Sequence, residues 1–238
     1  MNNISQFKNT GKGKRIFLVG NGPSLNDMDL DKLCGEDSIA MNRISLIYPK
    51  TKWRPKYYIF SSTNCYDPRW GIEWSKSIIE ASKEEFTTPL IWRRFKNDIE
   101  SRAGKFPEKT IFLDSFSENG IGSENSFSTD AEKRLDKSGT TMNVALQLAY
   151  YMCYSEVYLI GCDSNWKTAQ NTKTFGDPNH FDSSYHAYIG DGATEFNRMN
   201  NTHIRAKKEF DKAGIKILNA GPNSAITAYD KIEFDKLF

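Results

Sequence analysis

Short apolar runs separated by longer polar stretches set the rhythm of this chain. The first, over 16–19, is the unbroken kind that is buried on both faces of a parallel sheet. Further runs over 37–41, 56–61, 89–92, 110–113, 156–160 and 215–219 read as six more strands. Between them lie helical patterns. A short acidic one covers 26–34, amphipathic stretches cover 71–85 and 95–103, and a strongly apolar helix follows Ser138–Thr140. A helix over 196–213 ends at Gly214, placed to close it in the left-handed conformation, and a last helix is expected after 220–227. Alternation of this kind predicts an α/β fold: a single Rossmann-like, open, mainly parallel sheet with helices on both faces. The domain is expected over 15–238, behind a flexible N-terminal arm at 1–14. Segments 114–137 and 167–194 lack periodicity, exceed the usual loop length and read as loop or lid segments.

Chemistry is first suggested where the first strand breaks into Gly20-Asn21-Gly22-Pro23-Ser24. Two glycines a residue apart permit positive φ and close approach of a ligand to the backbone. Pro23 suits the first position of a helix, and Ser24 suits its cap. A strand, a glycine turn and a helix start together aim amide N–H groups at an anion. Leu25 stands where a dinucleotide fingerprint has its third glycine, and no G-K-[ST] follows, so neither common phosphate motif is present. A plain strand-to-helix turn would use the same residues.

Composition narrows the classes. A net charge of +2 with 26% charged residues argues against a dedicated nucleic-acid binder. Four scattered cysteines without C-x-x-C spacing fit a reduced, cytoplasmic protein. No apolar leader and no membrane-spanning run are visible, although peripheral contact with a membrane is compatible with the sequence. The 13% aromatic content suits both a core and a sugar-handling cleft.

All three histidines lie between 180 and 203. His203, on a helix among lysines and an arginine, is expected at the surface. His180 and His186 lie in the polar segment after the sixth strand with Tyr185 and Tyr188, and a neutral imidazole there can take a proton from an alcohol. Polar residues at strand ends, Asn42, Ser62, Asn64 and Asp163, fall where open α/β sheets place ligands. Ser138-Gly139-Thr140 forms a second glycine-containing helix start. No zinc spacing, no D-x-D beside a strand end, no serine elbow and no convincing cysteine nucleophile is present, so no metal site is expected.

Several of these motifs occur together: G-N-G-P-S-L, M-N-R, S-G-x-x before an Ala-rich helix, E-V-Y-L-I-G-C-D and P-N-S. The set resembles one superfamily, the bacterial sialyltransferases of glycosyltransferase family 42 and the MptE-like (DUF115) 6-hydroxymethylpterin diphosphokinases, over residues 15 to about 228. The sialyltransferase branch implies metal-independent, inverting transfer of a sialic-acid-like sugar from a CMP-activated donor to a glycan hydroxyl, in cell-surface polysaccharide synthesis and without a cofactor. It implies Asn21, Gly22, Ser24 and Asn42 at the nucleotide, with Asn64 matching a family asparagine. It further implies Ser138, Gly139 and Thr140 at the phosphate or sugar carboxylate, and Asp163 at the nucleotide. A histidine base is implied, His180 first and His186 second, with Tyr185 and Tyr188 assisting the leaving phosphate. Where the family places a tyrosine after the aspartate, this chain has Ser164-Asn165-Trp166, which leaves the donor sugar open. The other branch implies diphosphate transfer from ATP with Mg²⁺ held by Asp163, Asp177 and Asp182. A non-catalytic nucleotide-binding module is the third reading.

Overall fold

The computed structural model describes residues 3–114, 116–117, 127–138, 140–165, 177–186 and 192–238. Its strands are β1 (Arg15–Val19), β2 (Ser38–Met41), β3 (Tyr57–Phe60), β4 (Thr88–Trp92), β5 (Ile111–Leu113), β6 (Phe116–Ser117), β7 (Leu135–Asp136), β8 (Glu156–Ile160) and β9 (Lys216–Asn219). Seven of them form one sheet in the order β5-β4-β3-β2-β1-β8-β9, with every neighbouring pair parallel. These are the seven strands that the apolar runs predict. The described ends of the 114–137 segment contribute β6 and β7, a separate two-stranded parallel pair. Residues 115 and 118–126 of that segment, and much of 167–194, lie outside the described residues.

Because successive side chains on a strand face opposite ways, each apolar run feeds two cores. Ile16, Leu18, Ile39, Ile59, Val157 and Leu159 face one, which α3 (Thr141–Tyr151) and α4 (Gly192–Lys212) cover. Phe17, Val19, Tyr58, Phe60, Ile91 and Ile160 face the other, beneath α1 (Gly71–Lys83) and α2 (Lys96–Ala103). The result is the expected open α/β sheet with helices on both faces. Among the described residues no helix is long and apolar enough to cross a membrane.

Three expectations change. The helix expected over 26–34 is instead two 3-10 turns, Pro23–Asp27 and Leu30–Leu33. A crowd of Asn and Asp whose side chains compete for backbone groups explains the short turns: the Asp29 carboxylate accepts from the Asp31 amide at 3.1 Å. The C-terminal helix shrinks likewise to a 3-10 turn at Phe234–Leu237. The segment before β1, read as a loose arm, is packed. Ile4 is buried, the Gly11 amide donates to the Met152 carbonyl at 2.8 Å, and the Ser155 amide donates to the Lys14 carbonyl at 2.9 Å. At the other end of the chain, the Arg15 guanidinium donates to the Leu237 carbonyl at 2.7 Å and Phe238 stacks on Phe17. Both ends of the chain therefore meet the amino-terminal edge of the sheet.

The opposite edge is where the topology divides. After β1 the chain moves outward through β2 to β5, then returns to place β8 on the other flank of β1. Loops leaving the carboxyl ends of β1 and β8 must diverge, which opens a crevice there. The two strand ends stay zipped beyond the sheet: the Gly20 amide donates to the Ile160 carbonyl at 2.9 Å and the Gly22 amide to the Gly161 carbonyl at 2.8 Å. Neither Gly20 nor Gly22 has positive φ, so the conformational reason expected for them does not apply; Gly161, at φ +61°, takes that role. A Cβ at Gly20 would overlap the Gly161 carbonyl, so close approach of the two strand ends is what demands glycine. We expect Gly20→Ala to destabilise the fold by about 2 kcal/mol or more through this backbone overlap, measured by urea unfolding against wild type.

Candidate active site

The crevice is a cleft of about 560 Å³ whose lining includes the β1 turn, the end of β2, the segment after β3, the start of α3, the end of β8, the 177–186 segment and α4. Of the residues picked out from sequence, Gly20, Asn21, Gly22, Pro23, Ser24 and Asn42 line it. So do Ser62, Asn64, Thr140, Asp163, His180 and Tyr185. His186 and Ser138 do not, and Gly139 and Tyr188 lie outside the described residues.

The Gly20, Gly22, Ser24 and Leu25 amides of the glycine turn are paired within the protein, not held free for an anion as expected. Asp163, at the end of β8, reaches across to the β1 turn, where it accepts from the Ser24 amide at 2.8 Å and the Ser24 hydroxyl at 2.5 Å. The Leu25 amide is paired with the Gly22 carbonyl. A carboxylate thus occupies the position where an anion would have been expected, and Ser24 is committed to it. Gly22 is fixed by the same contact, since a Cβ there would lie 2.6 Å from the Asp163 carboxyl and 2.9 Å from the Gly161 carbonyl oxygen. Its requirement is therefore the Asp163 contact and not the approach of a phosphate. The anion-favouring feature of the cleft is instead the start of α3. Thr140 caps that helix by accepting from the Met142 amide at 3.2 Å, and Thr140, Thr141 and Lys137 all face the cleft. The positive end of an eleven-residue helix and a lysine together favour a negative charge there.

Amide and hydroxyl groups fill the floor. Asn42, in the left-handed region at φ +56°, accepts from the Thr141 hydroxyl at 3.4 Å, and its carbonyl accepts from the Tyr58 hydroxyl at 2.5 Å. The Ser62 hydroxyl accepts from the Asn64 amide at 3.3 Å. Asn21 donates its side-chain amide to the Met41 carbonyl at 3.2 Å, while its Oδ1 is buried without a partner among the described residues. An orphaned acceptor in a concave site favours a ligand that brings an N–H or O–H to it.

The 177–186 segment is held onto this floor at several points. The Phe181 amide donates to the Asn21 carbonyl at 3.0 Å, and Asn26 donates to the Phe181 carbonyl at 2.8 Å. Arg43, buried below Trp74, donates to the Ser184 and Tyr185 carbonyls at 2.6 and 2.7 Å. Within the segment, Asp177 Oδ2 lies 2.8 Å from His180 Nδ1, and Asp177 Oδ1 accepts from the Asn179 amide at 3.0 Å. The carboxylate assigns the proton to Nδ1 and leaves Nε2 as the basic edge of the ring. Tyr185 stacks on the imidazole with ring centres 3.8 Å apart and planes within 4°. Burial holds the Tyr185 hydroxyl protonated, well above its ordinary range. His186, by contrast, stacks on Trp70 while its carbonyl accepts from the Trp74 indole. Of the two candidate bases, His180 is the one that the fold brings into the cleft.

His203 corrects another expectation. It is not a surface residue but 3% exposed, lines the cleft, and places Nδ1 3.0 Å from the Tyr229 hydroxyl. The lysines around it misled the reading. The helical spacing of Met199, His203, Ala206 and Phe210 marks the apolar face of α4, and that pattern was present in the sequence. Asp177, as partner of His180 at i, i+3, is the other residue whose role was missed.

The three carboxylates that the diphosphokinase branch implies at Mg²⁺ are each engaged elsewhere. Asp163 bonds Ser24, Asp177 bonds His180, and Asp182 accepts from the Ser184 amide and hydroxyl. No cluster of three or more metal-ligating side chains occurs among the described residues.

No known family's sequence model matches the chain, and no curated protein matches it in sequence. A similar fold occurs in the solved structure of the MAf glycosyltransferase from Magnetospirillum magneticum AMB-1, with a TM-score of 0.57 at 14% identity. The match covers 99% of this chain and 38% of that one, so the chain spans well under half the length of the protein it resembles. At this identity the likeness is one of fold.

His203 generates a prediction of its own. Burial pushes its pKa down to about 4, from the ordinary value of 6.5. Below pH 6.5 the unfolded chain takes up a proton that the native imidazole refuses. Stability is therefore lost as pH falls from about 6.5 to about 4, by about 3 kcal/mol from this group, and levels off below. Comparing urea midpoints of wild type and His203→Gln across pH 4–8, we expect the variant to lack that share of the decline.

Proposed function

We propose that this protein is a nucleotide-sugar glycosyltransferase, with the Asp177–His180 pair as its general base. The pair carries the reading: an imidazole whose tautomer is set by a buried carboxylate, in a cleft at the switch point of a parallel sheet. The fold shared with a protein described as a glycosyltransferase adds support.

In this reading His180 Nε2 takes the proton from an acceptor hydroxyl as that oxygen bonds to the anomeric carbon. The bond from that carbon to the phosphate oxygen breaks, and its electron pair departs with the nucleotide. Charge develops on the leaving phosphate, which the start of α3 and Lys137 offset. Displacement by a single activated hydroxyl inverts the anomeric centre. Asp177 acts by holding the ring and stabilising the imidazolium that forms. A CMP-linked, sialic-acid-like donor is the finer proposal. The unpartnered Asn21 Oδ1 suits an amino or hydroxyl group of the nucleoside, and Asn42 and Asn64 suit its other polar edges. The acceptor is a glycan hydroxyl. Diphosphate transfer with Mg²⁺ would require Asp163, Asp177 or Asp182 to leave the partners described above.

The first test is thermal stabilisation by CMP, UDP, GDP and ATP, each with and without Mg²⁺. At a hundredfold excess over its dissociation constant, the true ligand adds about 2.7 kcal/mol to the folded state. Stabilisation by CMP without metal is the expected result; stabilisation by ATP only with Mg²⁺ would transfer the assignment to the diphosphokinase chemistry. With a competent donor and acceptor, His180→Ala and Asp177→Asn should each lower kcat by about 10²–10⁴ while nucleotide affinity stays within about twofold. Full turnover in either variant would remove the dyad from the mechanism. Nucleotide binding by wild type without turnover of any donor would identify a binding module.

A further inference from the structure

The cleft holds a second imidazole that base catalysis does not use. His203 sits on α4 one turn after Met199, and both line the cleft, while Ala206 and Phe210 on the same face are buried in the core that α4 shares with α3. Tyr229, from the segment after β9, meets His203 edge-on with ring centres 5.5 Å apart and planes at 87°. The contact between Nδ1 and the tyrosine hydroxyl at 3.0 Å is the one hydrogen bond that either side chain makes among the described residues.

Hydrogen accounting sets the direction of that bond. Tyr229 is 4% exposed, and a buried hydroxyl proton without an acceptor is costly. If Nδ1 were the donor, the Tyr229 proton would have no acceptor among the described residues; if Tyr229 donates, its proton is satisfied and the imidazole's own N–H is Nε2–H, left for whatever occupies the cleft. The imidazole is then the Nε2–H tautomer, the reverse of His180. Burial depresses its pKa, so it stays neutral and keeps that donor edge across the physiological range. Met142, Met199 and Cys162 line the same cleft. A single fixed donor recognises an acceptor oxygen and strengthens its hold as charge grows on that oxygen. The anion-favouring start of α3, against which α4 packs, lines the same cleft.

We propose that His203 is a ligand-contacting residue whose Nε2–H donates to an anionic oxygen of the bound donor, with Tyr229 fixing the tautomer. The anionic oxygen belongs either to the phosphate of the nucleotide or to a carboxylate of the sugar. This inference rests on the nucleotide-sugar reading of the cleft and extends it. The sequence supplies two histidines of opposite polarity, one accepting a proton and one donating a hydrogen bond.

Nitrogen NMR of ¹⁵N-histidine-labelled full chain reads both claims. In the free protein, His203 should show a protonated Nε2 and a bare Nδ1, unchanged from pH 8 to pH 5.5; the reverse tautomer would overturn the assignment. CMP, cytidine, N-acetylneuraminate and inorganic phosphate are then titrated, with binding followed independently by the melting temperature. A shift of His203 Nε2 with CMP but not with cytidine locates the phosphate there, and a shift with N-acetylneuraminate alone locates the carboxylate. Stabilisation by CMP with His203 unmoved would overturn this proposal and leave the nucleotide reading standing. Silence from every probe overturns both. For whichever ligand shifts the resonance, His203→Leu should weaken binding about tenfold or more, and His203→Gln, which restores an N–H, should recover most of it. Tyr229→Phe should leave the circular dichroism spectrum unchanged, release the tautomer and weaken binding severalfold. Equal affinities across these variants would make the pair structural.

Discussion

One carboxylate holds the switch point closed. Asp163 takes both polar hydrogens of Ser24, 139 residues away, and joins the end of β8 to the first turn after β1. Everything that lines the cleft depends on where those two strand ends lie relative to each other. The bare glycine backbones let them approach, and the carboxylate keeps the turn from springing outward. A charge-assisted bond of this kind, largely removed from water, is worth more than its counterpart at the surface. Its second effect is electrostatic. With a negative charge seated at the glycine turn, an anionic ligand is directed toward the start of α3.

Rigidity is the other theme of the site. Loops that carry chemistry are often mobile, yet residues 177–186 are tied to three separate elements: the β1 turn through Asn21, the 3-10 turn through Asn26, and the end of β2 through Arg43. Stacking against Tyr185 removes the last rotational freedom from the His180 ring. A side chain held this firmly needs little reorganisation when a ligand arrives, which is the physical content of preorganisation. The two imidazoles differ in what holds them. A carboxylate meets Nδ1 of His180, and a phenol meets Nδ1 of His203.

Much of the fold was legible because it rests on local pattern. Apolar runs of four or five residues flanked by polar breaks are read off directly, and all seven strands of the main sheet followed from them. Gly20 and Gly22 could be identified as special but not for the right reason. Steric closeness to Gly161 and Asp163 is a property of a strand pair that sequence alone does not reveal. The Asp163–Ser24 bond was invisible for the same reason. His203 was misplaced because nearby charge outweighed helical spacing, although Met199, Ala206 and Phe210 at matching positions marked the buried face. The short turns after β1 show local hydrogen bonding by Asp29 prevailing over an acidic helix-start pattern.

Both chain ends meet the amino-terminal edge of the sheet, through Gly11 and Lys14 at one end and the contacts of Arg15 and Phe17 with Leu237 and Phe238 at the other. The cleft opens on the carboxyl edge, a full strand length away. The two ends and the cleft thus lie at opposite edges of the sheet. Tethered by either terminus to a bead, a sensor chip or a second polypeptide, it would present the cleft outward to solution.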